Sequence, residues 1–305
     1  MNKGQIYWGS NNIFSLKANG EVVECRLKGK VLKTDLEAYN PLAPGDWVHW
    51  EEDVSNPGHG MILDRLERTN AFTRWNNKRG CPQTIAANVD LLILVASPLE
   101  PPFRPRFLDR ALIMADYDHI EPLILVNKID QELTSEAEDR LAYYQDMGYQ
   151  VHTCSAQTGE GLEILRELLN DKTAAFVGQS GVGKSSLLNA LDPTLGLKVG
   201  DLSAKYNKGS HTTVTALMRD WALGRLIDTP GIRELEVFGM VCQDLDHYFR
   251  DFVPLLGHCD FVGCSHLHEP GCVLKGAALD RTLHPDRLES YAKLYFELKE
   301  TEKGY

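Results

Sequence analysis

From residue 1 to about 70 the chain alternates apolar and polar positions in short runs: QIYWGS, NIFSLKANGEVVECRLKG, GDWVHWEE and GMILDRLE. Alternation with a period of two marks strands, and the Asn19–Gly20 pair marks a hairpin turn. About five such strands with no helical pattern between them predict a small barrel.

From about residue 85 the texture changes. Apolar runs (VDLLILVAS, PLILVNK, QVHTCSA, TAAFVGQ) alternate with amphipathic stretches (RPRFLDRALIMADY, SEAEDRLAYYQDMG, GLEILRELLN). Apolar strands that alternate with helices predict a mostly parallel sheet covered on both faces. Beyond about residue 236 the strands stop. CQDLDHYFRDFVPLL reads as helical, and DRLESYAKLYFELKE places Leu288, Tyr291, Tyr295 and Leu298 at helical spacing, a stripe expected to pack on the rest of the protein.

Length and composition narrow the class. The 305 residues, with 43% hydrophobic and 25% charged, can bury a real core, and the length prior is roughly two domains. No basic segment followed by a cleavage-like site opens the sequence, and the longest apolar run, LLILVAS, is far too short to cross a bilayer, so a soluble cytoplasmic protein is expected. A net charge of −11 argues against an evenly basic nucleic-acid binder. Local basic patches remain, at Arg26, Lys28, Lys30 and Lys33, at Arg74, Lys78 and Arg79, and at Arg104, Arg106 and Arg110. Each reads as a solvated face or an RNA contact. Of the seven cysteines, Cys259, Cys264 and Cys272 crowd together, which favours a metal cluster over a disulfide framework.

The stretch GQSGVGKSS supplies Gly178, Gln179, Ser180, Gly181, Val182, Gly183, Lys184, Ser185 and Ser186 between an apolar strand and a helix. Glycines here let backbone N–H groups converge on phosphate oxygens at a helix N-terminus. Lys184 can then reach the outer phosphates, and the Ser185 hydroxyl can ligate Mg²⁺. Downstream, GRLIDTPGIREL puts Asp228 at a strand end, where a carboxylate can hold Mg²⁺, and Gly231 where its N–H can sense a terminal phosphate. Between them Thr212 or Thr213 can supply a second hydroxyl to the metal.

A base-reading element precedes the phosphate loop. Asn127, Lys128 and Asp130 end the strand LILV. The Asp130 carboxylate can accept two hydrogen bonds from guanine nitrogens that adenine does not offer, and Lys128 can lie along the base. Ser155 and Ala156 follow at the end of the next strand, where the Ala156 N–H can meet the guanine carbonyl oxygen. The motif order is therefore base, base, phosphate, switch, switch. A parallel sheet tolerates this order, because ligands bind beyond the carboxyl ends of its strands however those strands are connected.

With these motifs in that order, the chain resembles the circularly permuted GTPases of the RsgA (YjeQ) family of small ribosomal subunit biogenesis factors, over essentially its full length. The resemblance implies an N-terminal OB-type β-barrel carrying PLAPGDWV (1–70), an α/β permuted P-loop GTPase core (71–235) and a C-terminal helical zinc-binding domain (236–305). It further implies GTP hydrolysis to GDP and phosphate with Mg²⁺, stimulation by the small ribosomal subunit and its rRNA, and a role late in that subunit's maturation. A monomer without membrane attachment is expected. The alternative is a GTP-gated scaffold acting on a non-ribosomal partner.

The family's zinc pattern is met by Cys259, Cys264, His266 and Cys272, a donor set suited to a closed tetrahedral structural Zn²⁺. His258 and His268 compete for the nitrogen position. The family pattern Gly-Arg-His-Thr-Thr appears as Gly209, Ser210, His211, Thr212 and Thr213, which makes His211 the candidate for activating water and removes one positive charge at Ser210. Ile232 stands where Ras-like GTPases carry a water-orienting Gln, so unaided hydrolysis is expected to be slow.

Overall fold

The computed structural model describes residues 1–10, 12–29, 40–197, 216–232 and 234–302. The expected ligands and catalyst of the switch loop, His211, Thr212 and Thr213, lie outside the described residues.

Five strands, β1 (Asn2–Ser10), β2 (Ile13–Ala18), β3 (Glu21–Leu27), β4 (Trp47–Glu52) and β5 (His59–Arg65), close into a barrel in the order β1-β2-β3-β5-β4. β3 and β5 pair in parallel while the other neighbours are antiparallel, which is the Greek-key closure of an OB-fold. The alternation seen in the sequence is the packing pattern. Phe14, Leu16 and Ala18 of β2 point inward with Ile6, Cys25, Val48, Trp50 and Ile62.

An antiparallel hairpin, β6 (Ala71–Asn76) and β7 (Cys81–Ala87), follows and forms a sheet of its own. The strand-and-turn pattern alone did not separate it from its surroundings. The hairpin occupies the junction between barrel and core.

The core sheet is built by β8 (Leu91–Ala96), α1 (Pro105–Tyr117), β9 (Glu121–Val126), α2 (Ser135–Asp146), β10 (Gln150–Thr153), α3 (Leu162–Leu168), β11 (Lys172–Gly178), α4 (Lys184–Leu191), β12 (Leu217–Trp221) and β13 (Gly224–Asp228). Its order is β10-β9-β8-β11-β13-β12, parallel throughout except for the edge strand β12. Both faces are covered, as continuous apolar strands require. Leu92, Leu94, Ile124, Val126, Ala175 and Val177 pack under α1 and α2. The alternate residues Leu91, Ile93, Leu123, Leu125, Ala174 and Phe176 pack under α3 and α4.

After β13 come a 3₁₀ stretch at Cys242–Tyr248, another at Val253–Leu255, α5 (Val273–Leu279) and α6 (Pro285–Glu302). The continuous helix expected over CQDLDHYFRDFVPLL is instead these two 3₁₀ turns. Phe249 leaves the helical region between them (φ −95°, ψ 100°), which stacks its ring on Phe252 at 4.6 Å and brings both against Tyr291. Packing thus overrides propensity there. The α6 stripe behaves as its spacing predicts: Tyr291, Tyr295 and Leu298 are buried and join the same apolar cluster as α1 and α2.

A charged network crosses this seam. Asp109 of α1, fully buried, receives Arg140 of α2 at 2.8 Å, Arg287 of α6 at 2.7 Å and the Ser290 hydroxyl at 2.6 Å. Burial alone would raise the Asp109 carboxyl, but the Arg287 and Arg140 guanidiniums more than offset that and hold it below its ordinary range. Among the described residues no helix is long and apolar enough to cross a membrane.

Candidate functional site

The phosphate loop joins β11 to α4. Gly183 sits at φ +92°, and a Cβ there would lie 2.4 Å from the Asn127 amide nitrogen, so only glycine fits. That contact unites the two halves of the permuted motif set. Asn127 is buried; its Nδ2 donates to the Val182 carbonyl at 2.9 Å and its Oδ1 accepts the Ala156 N–H at 3.0 Å. One side chain thereby ties the phosphate loop to both base-side loops. The Ala156 N–H, expected at the guanine carbonyl oxygen, is here engaged by Asn127, because the buried amide oxygen must find a donor.

Lys128 adopts φ +68° and spans the gap above the loop, donating to the Gly181 carbonyl at 2.8 Å and the Glu100 carbonyl at 2.5 Å. Glu100 was not singled out by any sequence motif; only the turn after β8 brings it there. Asp130 is exposed, and the Ser155 hydroxyl donates to its Oδ1 at 2.6 Å.

On the phosphate side Lys184 is buried and donates to the Gly178 and Gln179 carbonyls at 2.8 and 3.1 Å. Burial lowers its ammonium to about 8, against the attraction of Asp228. Burial pushes Asp228 up to about 6, opposed by Lys184 and Arg219. Asp228 Oδ1 is buried with no hydrogen-bond partner, and Ser185 is buried at the start of α4. A buried carboxylate oxygen without a hydrogen-bond partner suits a hard divalent cation such as Mg²⁺. Gly231 packs so closely on the loop that a Cβ would lie 2.7 Å from Ser180 Cα, and the neighbouring Ile232 N–H donates to the Gly178 carbonyl at 3.1 Å. Ile232 itself is buried.

The second cluster lies near the C-terminus. One ligand atom from each of Cys259, Cys264, His266 and Cys272 falls within 4.8 Å of all the others, a group that could hold a metal ion. His266 is the imidazole at this cluster. Its Nδ1 is 3.6 Å from Cys259 Sγ and 3.4 Å from Cys272 Sγ, whereas His258 and His268 are exposed. Its other nitrogen, Nε2, is 3.2 Å from Asp246 Oδ2. A carboxylate behind a metal-binding imidazole fixes the tautomer and raises ligand basicity. Asp246 carried no sequence signal, because it lies in the 3₁₀ stretch well ahead of the cysteines. Two residues of the basic patches also turn inward. Arg74 donates to the Glu234 carbonyl, and Arg110 donates to the Leu235 carbonyl and pairs with Glu297, so neither is a solvated face.

Residues 65–238 match the family model for the RsgA GTPase. The chain is 38% identical to the small ribosomal subunit biogenesis GTPase RsgA of Borreliella burgdorferi, over 97% of this chain and 96% of that one. It is also 38% identical to the protein of the same name from Bacillus pumilus, over 94% and 93%. The crystal structure of YjeQ from Thermotoga maritima matches with a TM-score of 0.72 and 31% identity, covering 97% of this chain and 98% of that one. YloQ, a circularly permuted GTPase, matches with a TM-score of 0.68 and 30% identity, over 99% and 96%. With base-side loops ahead of the phosphate loop in sequence and joined to it through Asn127 in space, the chain belongs to the RsgA family of circularly permuted GTPases.

Proposed function

We propose that this GTPase acts on the small ribosomal subunit, is stimulated by it, and serves late in its maturation. The names of its relatives favour that partner over a non-ribosomal scaffold role. The observation that carries the nucleotide reading is Asn127, whose amide joins the phosphate loop to the base-side loops. Around it, Asp130 reads the guanine edge, steadied by Ser155, while Lys128 lies along the base. The N–H groups of Gln179, Ser180, Gly181, Val182 and Gly183 and the residues Lys184, Ser185 and Ser186 hold phosphate oxygens at the α4 N-terminus.

Mg²⁺ would be held by Ser185 and Asp228 with Thr212 or Thr213, and when bound it neutralises charge on the phosphates. Gly231 reports the terminal phosphate. His211 orients the attacking water, since Ile232 has no polar atom to do so. Cys259, Cys264, His266 and Cys272 would hold Zn²⁺, which would supply a structural cross-link rather than catalysis. The barrel (1–70) and the C-terminal region (236–305) flank the GTPase core (71–235) and grip rRNA. The protein works in the cytoplasm as a monomer. Turnover of GTP with and without purified small subunits tests the proposal: strong stimulation is expected, and an unchanged rate overturns the ribosomal role.

A further inference from the structure

The segment after Gly231 enters no helix: residues 234–238 have no regular secondary structure. Its backbone carbonyls are nevertheless held one after another. Arg74 Nη1 donates to the Glu234 carbonyl at 3.4 Å, Arg110 Nη1 to the Leu235 carbonyl at 3.3 Å, and the Trp75 N–H to the Glu236 carbonyl at 3.2 Å. The Trp75 ring stacks on Phe238 at 5.8 Å, and the Asn77 amide donates to the Glu236 carboxylate. Donors from two separate elements, β6 and α1, therefore replace the internal hydrogen bonds that a helix would provide.

Each arginine is anchored elsewhere. Arg74 Nη2 donates to Gln83 on β7 at 3.3 Å. The hairpin is in turn fastened to the barrel: the Ala87 N–H donates to the Pro44 carbonyl at 3.0 Å, and Arg68, which grips Asp46, donates to Thr84 at 3.1 Å. Arg110 forms a two-pronged pair with Glu297 of α6, at 2.6 and 2.5 Å. The held segment starts only three residues after Gly231, the glycine pressed against Ser180 of the phosphate loop.

We propose that Arg74 and Arg110 are positioning residues for GTP hydrolysis, clamping the carbonyls of Glu234 and Leu235 so that Gly231 is held at the phosphate loop. Their effect is on the placement of Gly231, and placement errors of about 1 Å can cost up to roughly a hundredfold in rate. The clamp also connects the switch segment to the barrel through the hairpin and to α6 through Glu297. Structural change on either side of the core therefore has a direct route to the terminal phosphate.

The inference rests on Gly231 facing that phosphate, and the experiment separates the two ideas. GTP turnover and GDP affinity are measured on the full chain for Arg74→Ala, Arg74→Lys, Arg110→Ala and Gly231→Ala. Arg74→Ala and Arg110→Ala are each expected to lower kcat about tenfold while GDP affinity stays within about twofold, and Arg74→Lys, which keeps a cationic donor, recovers most of the loss. Parent-like kcat in both alanine variants overturns the clamp, as does a kcat loss matched by an equal loss of GDP affinity or left unrescued by lysine. Should Arg74→Ala fail to fold, Arg110→Ala decides by its kcat against its GDP affinity. If Gly231→Ala keeps full turnover, the role assigned to Gly231 fails; if it alone loses turnover, the clamp fails.

Discussion

The Ser155 hydroxyl donates to Asp130 Oδ1 at 2.6 Å and at the same time accepts the N–H groups of Gln157 and Thr158 at 3.2 and 3.1 Å. The loop after β10 thus aims the exposed carboxylate in the loop that follows β9. A hydrogen bond to a charged group contributes about 1.5–3 kcal/mol, which sets roughly a hundredfold as the upper bound on the loss; Ser155→Ala, which frees the carboxylate to reorient, should weaken GTP binding by less than that. Asp130→Asn exchanges an acceptor for a donor and should shift preference from guanine to xanthine nucleotides. Competition between GTP and XTP measures both, and an unaltered preference in Asp130→Asn would sink the base-reading assignment.

Asp228 provides a pH signature. Burial raises its carboxyl from 3.8 to about 6, so keeping it ionised costs the folded state stability; that cost is absent below about 4 and complete above about 6. Only the ionised form binds Mg²⁺ well. Turnover should therefore fall as pH drops through about 6, and excess Mg²⁺ should move the midpoint lower. A rate profile that is flat from pH 7 to 5 at limiting Mg²⁺ would contradict the metal role.

Removal of Asp246 tests the metal cluster from outside its ligand set. Loss of a carboxylate behind a ligating imidazole typically costs about 10–100-fold in metal affinity. Asp246→Ala should retain Zn²⁺ at saturation but release it to a chelator at much lower concentration than the parent, as followed by a colorimetric Zn²⁺ indicator. Cys264→Ser should lose the ion outright.

The seam between core and C-terminal region depends on buried charge pairing. Arg287, Asp109 and Arg140 are buried, and Arg287 also pairs with Asp251 at 2.8 Å. Arg287→Ala leaves two buried carboxylates short of a partner, which should cost about 3–5 kcal/mol. Urea unfolding monitored by circular dichroism reads the change. A loss below 1 kcal/mol would mean that the network is dispensable.

The sequence by itself determined the local chemistry. A glycine-rich loop after an apolar strand, an Asn-Lys-x-Asp strand end and closely spaced cysteines each owe their geometry to a few neighbouring residues, so spacing and residue type suffice to read them. Their order along the chain also sufficed to indicate the permutation. The tertiary structure decided what depends on distant segments meeting. Asn127 reaches Val182, Asp246 backs His266, Arg74 and Arg110 hold the carbonyls after Gly231, and Arg287 closes on Asp109 across 178 positions. The same holds for the hairpin at Ala71–Ala87 and for the 3₁₀ turns that replaced an expected helix. No local pattern encodes such contacts, because each partner has an ordinary polar or aromatic neighbourhood of its own and gains its meaning only when the other buries it.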